Sequence, residues 1–325
     1  MTEKRFVVGC DLGGTKTAVG LVEKTGKIVF EAKQPTPLKS AKAVIDGVIH
    51  LIDELFSAAG AGPASVRGIG LGVPGMVDFK KGIVVFSPHL PLRNTPFKKL
   101  VQAHYHLPTF LDNDASLAAL GERCYGAGKG VSNLVMVTIG TGIGGGIILN
   151  DKIYRGVTGS AAEIGHMVID IHGPRCQCGN FGCFEELASG DAIARRARAA
   201  LKKPSHSLML DMVEGNLRKI TGEVVALAAK RGDKLARQIL EDVGFVVGIG
   251  LTNIVNIFNP EMIILGGGVM EGDEFIIKVA REVVAKRALI PNKDVVKIVH
   301  AKLGNQAGIL GAAALVLQER DEMLA

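Results

Sequence analysis

Three glycine clusters, each at the end of an expected strand, mark where the backbone of this 325-residue chain could close on an anion. In Asp11-Leu-Gly-Gly-Thr-Lys16, Gly13 and Gly14 let backbone N–H groups approach a ligand, while Asp11, Thr15 and Lys16 add a carboxylate, a hydroxyl and a cation. The turn leads into another strand, so it is neither a Walker A motif nor a dinucleotide fingerprint. An ordinary glycine hairpin would read the same way. The second cluster, Gly140-Thr-Gly-Ile-Gly-Gly-Gly146, contains Thr141, Gly142 and Gly144 and again lies between two expected strands. The third, Gly266, Gly267 and Gly268, follows an expected strand over 261–265. Three such loops favour one shared ligand over three unrelated turns, and a nucleotide is the natural candidate.

Carboxylates come next. Leu111-Asp-Asn-Asp-Ala115 ends a strand and opens a helix, so Asp114 is either the helix N-cap or a base that accepts the proton of an attacking hydroxyl. In the second case Asn113 would hold a neighbouring hydroxyl. Glu163 and His166 stand three apart and share a face if their turn is helical. Acceptors of this kind suit a polyol.

Cys176, Cys178 and Cys183 place three thiols in eight residues, with His166 ten residues before the first. Three thiolates and one imidazole complete the tetrahedral shell of a structural zinc, with no open position for catalysis. The alternative is three free or incidentally oxidised thiols. A closed zinc site would fix the loop that ends at Glu185 and hold His166 by one ring nitrogen. Cys10 and Cys124 are expected as buried packing residues.

The elements that must position these groups follow from periodicity. Strands are expected at 5–12, 17–23 and 28–33, then a helix capped by Ser40 and stopped at Gly60. A strand over 66–73, a helix over 97–104, a strand over 109–111 and a helix over 115–123 come after it. The order then begins again with a hairpin, 134–139 and 146–149, and a third strand over 167–171. The chain therefore reads as two architecturally similar lobes: a small one over 1–118, onto which a helix near 306–325 packs back, and a large one over 119–305 that carries the cysteine cluster. The apolar stretch from Val243 to Phe258 reads as a buried core helix, too short and too interrupted for a membrane span.

Composition narrows the class. The net charge is +6, yet Lys and Arg are dispersed, and the densest group, Arg195, Arg196, Arg198, Lys202 and Lys203, fits the solvated face of an Ala-rich helix better than a nucleic-acid surface. The N-terminal apolar run before Asp11 is too short for a signal peptide, so no membrane or nucleic-acid partner and a cytoplasmic location are expected.

Taken together, these residues resemble the ROK family (repressors, open reading frames and kinases), and within it the bacterial glucokinases, over almost the whole chain. Asp11 to Lys16 looks like that family's first phosphate loop, Gly72-Val-Pro-Gly-Met-Val-Asp78 like its glycine-proline loop, and Gly140 to Gly146 like its second phosphate loop. The run from Cys176 to Glu185, with Glu163 and His166, is the most specific part. The resemblance implies an α/β, two-lobed, actin-like (RNase H-like) fold with a nucleotide and sugar cleft between the lobes. It further implies a homodimer or dimer of dimers, ATP with Mg2+, a structural Zn2+, Asp114 as general base, and sugar contacts from Asn113, Asp114, Glu163, His166 and Glu185. The implied reaction is ATP-dependent phosphorylation of a hexose, glucose first, with N-acetylmannosamine, N-acetylglucosamine, fructose or allose as alternatives. One departure is Ser116, where the family usually has Asn. Only ten residues precede Asp11, which on sequence argues against a repressor with a helix-turn-helix ahead of the first loop.

Overall fold

Local sequence signals set most of the element ends in the computed structural model, which describes residues 4–202, 206–271 and 274–324. Strands β1 (Phe6–Leu12), β2 (Lys16–Glu23) and β3 (Ile28–Pro35) form an antiparallel meander whose first turn is Gly13-Gly14. Helix α1 (Ala41–Ala59) begins where the Ser40 hydroxyl accepts the Ala43 amide and ends at Gly60, which takes the left-handed conformation with φ 57°. Strand β4 (Val66–Val73) runs parallel to β1. A small antiparallel sheet of β5 (Met76–Asp78), β6 (Ile83–Phe86) and β7 (Arg93–Thr95) precedes helix α2 (Phe97–Tyr105). Strand β8 (Thr109–Asn113) pairs in parallel with β4 and passes directly into helix α3 (Asp114–Tyr125).

The second half repeats the scheme. Strands β9 (Leu134–Ile139), β10 (Ile143–Leu149) and β11 (Lys152–Ile153) lead to a helical series: α4 (Phe184–Ala188), α5 (Gly190–Ala200), α6 (Leu208–Met212), α7 (Gly222–Lys230) and α8 (Lys234–Phe258). After them come β12 (Met262–Gly266), α9 (Glu274–Arg287), α10 (Asn292–Val295), β13 (Lys297–His300) and α11 (Ala307–Leu324). The two large sheets have the orders β3-β2-β1-β4-β8 and β11-β10-β9-β12-β13, so each puts its hairpin strands on one side and its crossover strands on the other.

The third strand of the repeat is β11, not the expected 167–171. Over that stretch there is a single bridge, Val168 to Cys183, and the Ile169 and Asp170 amides both donate to the Gly182 carbonyl. Its apolar alternation therefore reflects packing around the cysteine loop, with Ile171 left 76% exposed, and not a place in a sheet.

The chain divides into two compact units. One comprises 1–132, 146–162 and 305–325, and the other 133–145 and 163–304. Helix α3 runs through residue 118 and lies wholly in the first unit. In that unit Val8, Cys10 and Leu12 of β1 pack with Leu51, Ile52 and Leu55 of α1 and Ile69 and Leu71 of β4. Each such side chain contributes roughly 1.5–3 kcal/mol by leaving water. Helix α11 also belongs to this unit and packs on α3, β1 and β4. In the second unit α8 pairs with α9. Among the described residues α8 alone is long and apolar enough to cross a membrane, and 61% of its apolar window is buried, as befits a core helix. Arg195, Arg196 and Arg198 lie on α5, whereas Lys203 lies outside the described residues.

Candidate functional site

In the first unit, the β1–β2 turn is clamped from both sides. The Gly13 amide donates to the Lys16 carbonyl at 3.0 Å, and the Thr36 hydroxyl donates to the Gly13 carbonyl at 2.7 Å. Thr36 also donates its amide to the Thr15 carbonyl, and its hydroxyl meets that of Thr17 at 2.9 Å. Thr15 and Lys16 are left exposed, with hydroxyl and ammonium available to a ligand. Thr36 escaped the sequence reading because it lies 23 residues from the carbonyl it fixes.

Asp114 opens α3, but the N-cap is Asn113. The Asn113 Oδ1 accepts the Ser116 amide at 3.0 Å, and its Nδ2 donates to the Gly75 carbonyl at 3.2 Å, tying β8 to the glycine-proline loop. Capping by Asn113 releases the Asp114 carboxylate from that duty. Its Oδ1 takes the amide of the next residue, Ala115, at 2.9 Å. Burial pushes the Asp114 carboxyl up, against the opposing pull of the Ala115 amide and the charge of His89. Asp11, at the end of β1, is pushed up to about 6, first by burial and then by the Asp114 charge, with Lys16 opposing. Two buried carboxylates beside a phosphate-type turn, one raised in part by the charge of the other, form a set suited to proton and cation chemistry. Behind them, Asp112 is raised by burial and held by the Arg155 guanidinium at 2.7 Å, which also reaches Glu319 at 3.2 Å.

His89 is a member that sequence reasoning missed. A Cβ added to Gly14 would lie 2.9 Å from the His89 Cβ, so the turn can approach the histidine only because residue 14 has no side chain. His89 thus lies against the phosphate-type loop and acts electrostatically on Asp114. Its signal in sequence was a lone histidine between two prolines, without a periodic context.

In the second unit the β9–β10 turn is Gly140–Gly142, and Gly144 falls inside β10 and not in the loop that the glycine pattern predicts. The Gly140 amide donates to the Gly142 carbonyl at 2.9 Å, and the Gly190 amide at the start of α5 donates to the Gly140 carbonyl at 2.7 Å. Thr141 is exposed at the tip of this turn. Glu185 of α4 accepts the Ile143 amide at 2.8 Å, and a Cβ on Gly142 would fall 2.3 Å from the same carboxylate oxygen. The loop and Glu185 therefore set each other's position. Gly266 ends β12, while Gly267, at φ 92°, turns the chain into the short helical turn that contains Gly268.

Glu163 and His166 bracket a 3-10 turn, Ile164–His166, in which positions i and i+3 eclipse, so both side chains share an exposed edge. His166 Nδ1, Cys176, Cys178 and Cys183 bring their ligand atoms within 4.8 Å of one another. The Cys176 sulfur is 3.7 Å from the His166 Nδ1, and the Cys178 and Cys183 sulfurs are 3.6 Å apart. Tetrahedral zinc with Zn–S bonds near 2.3 Å requires ligand separations of about 3.7 Å, so the four residues fit the ion. Cys10 is fully buried as expected, whereas Cys124 is only partly buried.

The ROK family model matches residues 7–319, and the chain belongs to the ROK family. A glucokinase from Streptomyces coelicolor is 36% identical over 314 residues, covering 95% of this chain and 97% of that protein. A xylose repressor from Caldicellulosiruptor bescii is 33% identical, covering 96% of this chain and 78% of that protein. The crystal structure of a Streptomyces griseus ROK family glucokinase in complex with glucose and AMPPNP has a TM-score of 0.85 at 34% identity, covering 96% of this chain and 99% of the other. The fold is the actin-like, two-lobed α/β fold that the sequence leads one to expect.

Proposed function

We propose that this ROK family chain is an ATP-dependent sugar kinase, moving the γ-phosphoryl group of ATP directly onto a hydroxyl of a hexose, with glucose the favoured acceptor. The observation that carries the reading is Asp114: a buried carboxylate with a raised pKa at the start of α3, relieved of capping by Asn113 and coupled to Asp11 beside the Gly13–Lys16 turn. Phosphoryl transfer asks the protein for positioning, charge stabilisation and one proton acceptor, and this constellation offers all three.

In this account the Asp114 carboxylate accepts the proton of the attacking hydroxyl, and the Asn113 amide orients the sugar. Glu163, His166 and Glu185 take further hydroxyls. The Gly13–Lys16 and Gly140–Gly142 turns present amides, hydroxyls and the Lys16 ammonium to the phosphates, and the Gly266–Gly268 turn borders the nucleotide. Asp11 would hold Mg2+, which neutralises phosphate charge. His166, Cys176, Cys178 and Cys183 would hold Zn2+ as a structural ion that fixes the loop before Glu185 and takes no part in the chemistry. The protein would act in the cytoplasm as a homodimer or dimer of dimers, on small molecules alone.

The likeness to glucokinases supports the kinase reading, and the likeness to xylose repressors supports a second one, a sugar-binding regulator without turnover. A coupled ADP assay over a panel of hexoses and pentoses separates them. Turnover with glucose among the best substrates is expected; N-acetylmannosamine, N-acetylglucosamine, fructose or allose as best substrate would replace glucose. Sugar binding without ADP release on any sugar overturns the kinase reading.

A further inference from the structure

The first unit carries a second cationic feature that the kinase reading does not use. An open groove with a volume of about 480 Å3 lies along the β5–β6 turn and α2, lined by Lys81, Lys98, Lys99, Gln102, Ala103 and His106, all of them exposed except the half-buried Lys98. That volume falls in the range of small-ligand sites. Residues 98, 102 and 106 recur at four-residue spacing, so they line one face of α2 and its C-terminal end, and Lys99 and Ala103 lie beside them. Three lysines and a histidine face this space, and no carboxylate lines it. Lys81 is tied to Asp78 of the same hairpin at 3.4 Å.

Lys98 is held in place. Its stem lies against Gly82, where a Cβ would come within 2.4 Å of the Lys98 Cβ, and its ammonium sits 5.5 Å from the centroid of the Phe110 ring. A fixed, half-buried lysine and a second lysine lining the same space repel one another, and a bound anion would relieve that repulsion. We propose that this groove binds a small phosphoryl-bearing anion, a free diphosphate or a phosphorylated sugar, through Lys98 and Lys99 with Gln102 and His106 as hydrogen-bonding partners. The ammonium groups neutralise the anion, and the amide and imidazole at the four-residue spacing fix its orientation. Such a site would be distinct from the Gly13–Lys16 turn.

The test is calorimetric titration of the full chain with inorganic pyrophosphate and, separately, with glucose 1,6-bisphosphate. It compares wild type, the double variant Lys98→Gln/Lys99→Gln, Gln102→Glu and Lys16→Ala. Besides any uptake at the Gly13–Lys16 turn, a saturable event is expected that weakens at least tenfold in the double variant and in Gln102→Glu, persists in Lys16→Ala, and loosens as salt is raised. The tighter of the two probes tells whether the site takes a free diphosphate or a sugar phosphate. Turnover with ATP and glucose should stay at the wild-type level in the double variant. Affinity unchanged in both groove variants, loss confined to Lys16→Ala, or uptake that never saturates overturns the proposal. Because these readouts are binding isotherms, they stand whether or not the chain proves to be a kinase.

Discussion

Replacing Asp114 by Asn removes the proposed proton acceptor while leaving nearly everything around it in place. The variant keeps an oxygen to accept the Ala115 amide at 2.9 Å, keeps the side-chain volume, and leaves the Asn113 cap to Ser116 intact. Helix α3 should therefore start where it does in the wild type. Loss of a positioned base costs about 10²–10⁴ in rate, or roughly 3–5 kcal/mol of barrier at about 1.36 kcal/mol per tenfold. Glucose affinity, assigned in the proposed site to several other groups as well, should change little, and the Asp11 carboxyl, no longer facing the Asp114 charge, should titrate lower than about 6. The assay is steady-state kcat with ATP and glucose beside calorimetric sugar affinity and a melting curve. A kcat within fivefold of wild type, with the protein folded, would refute the role of Asp114. A fall matched by lost glucose binding would move the residue from proton acceptor to sugar ligand.

Asp11 carries a stability cost that can be measured. Its carboxyl sits at about 6 in the folded chain against an ordinary 3.8, so the folded state holds the extra proton between those values. The stability linked to that proton is present at low pH and is lost as pH rises to about 6, worth at most about 3 kcal/mol. Asp11→Asn should therefore melt higher than wild type above pH 6 while losing phosphoryl transfer. In the wild type, kcat/KM should fall as pH drops below about 6 and carboxylates protonate. Gly142→Ala would drive a methyl into the Glu185 carboxylate and should raise the glucose KM about tenfold or more with a smaller change in ATP KM, read from paired saturation curves. Metal analysis of purified protein should find about one zinc per chain; Cys183→Ser should lose it and lower the melting temperature, whereas a metal-free chain of full activity would contradict the site. His89→Ala should shift the acid limb of the pH profile upward, because its positive charge opposes the raised Asp114 carboxyl.

Where local chemistry decides, the sequence was enough. Ser40 and Gly60 bound α1 because a hydroxyl cap and a left-handed glycine act within a few residues. The cysteine cluster was legible because thiols at short spacing have few other uses, and Glu163 with His166 because a single turn joins them. Periodicity misled at 167–171, where alternating apolar residues wrap a loop held by Gly182 and Cys183 and join no sheet. The same limit applies to Thr36, His89 and Arg155. Each acts on a partner distant in the chain, so only the folded backbone brings Thr36 to Gly13, His89 to Gly14 and Arg155 to Asp112. The capping role of Asn113 in place of Asp114 was a one-residue question, and single-residue boundaries are where patterns are weakest.

The central claim is that the γ-phosphoryl group of ATP ends on a hexose hydroxyl with Asp114 taking the proton. Phosphorus NMR of the chain incubated with ATP, Mg2+ and glucose follows that transfer directly. The account predicts that the γ-phosphorus signal is replaced, one for one with ADP, by a hexose 6-phosphate resonance, and that Asp114→Asn slows this conversion at least 100-fold, the lower bound for losing a positioned base. Release of ADP with inorganic phosphate and no sugar phosphate, or conversion at an undiminished rate in Asp114→Asn, would contradict it.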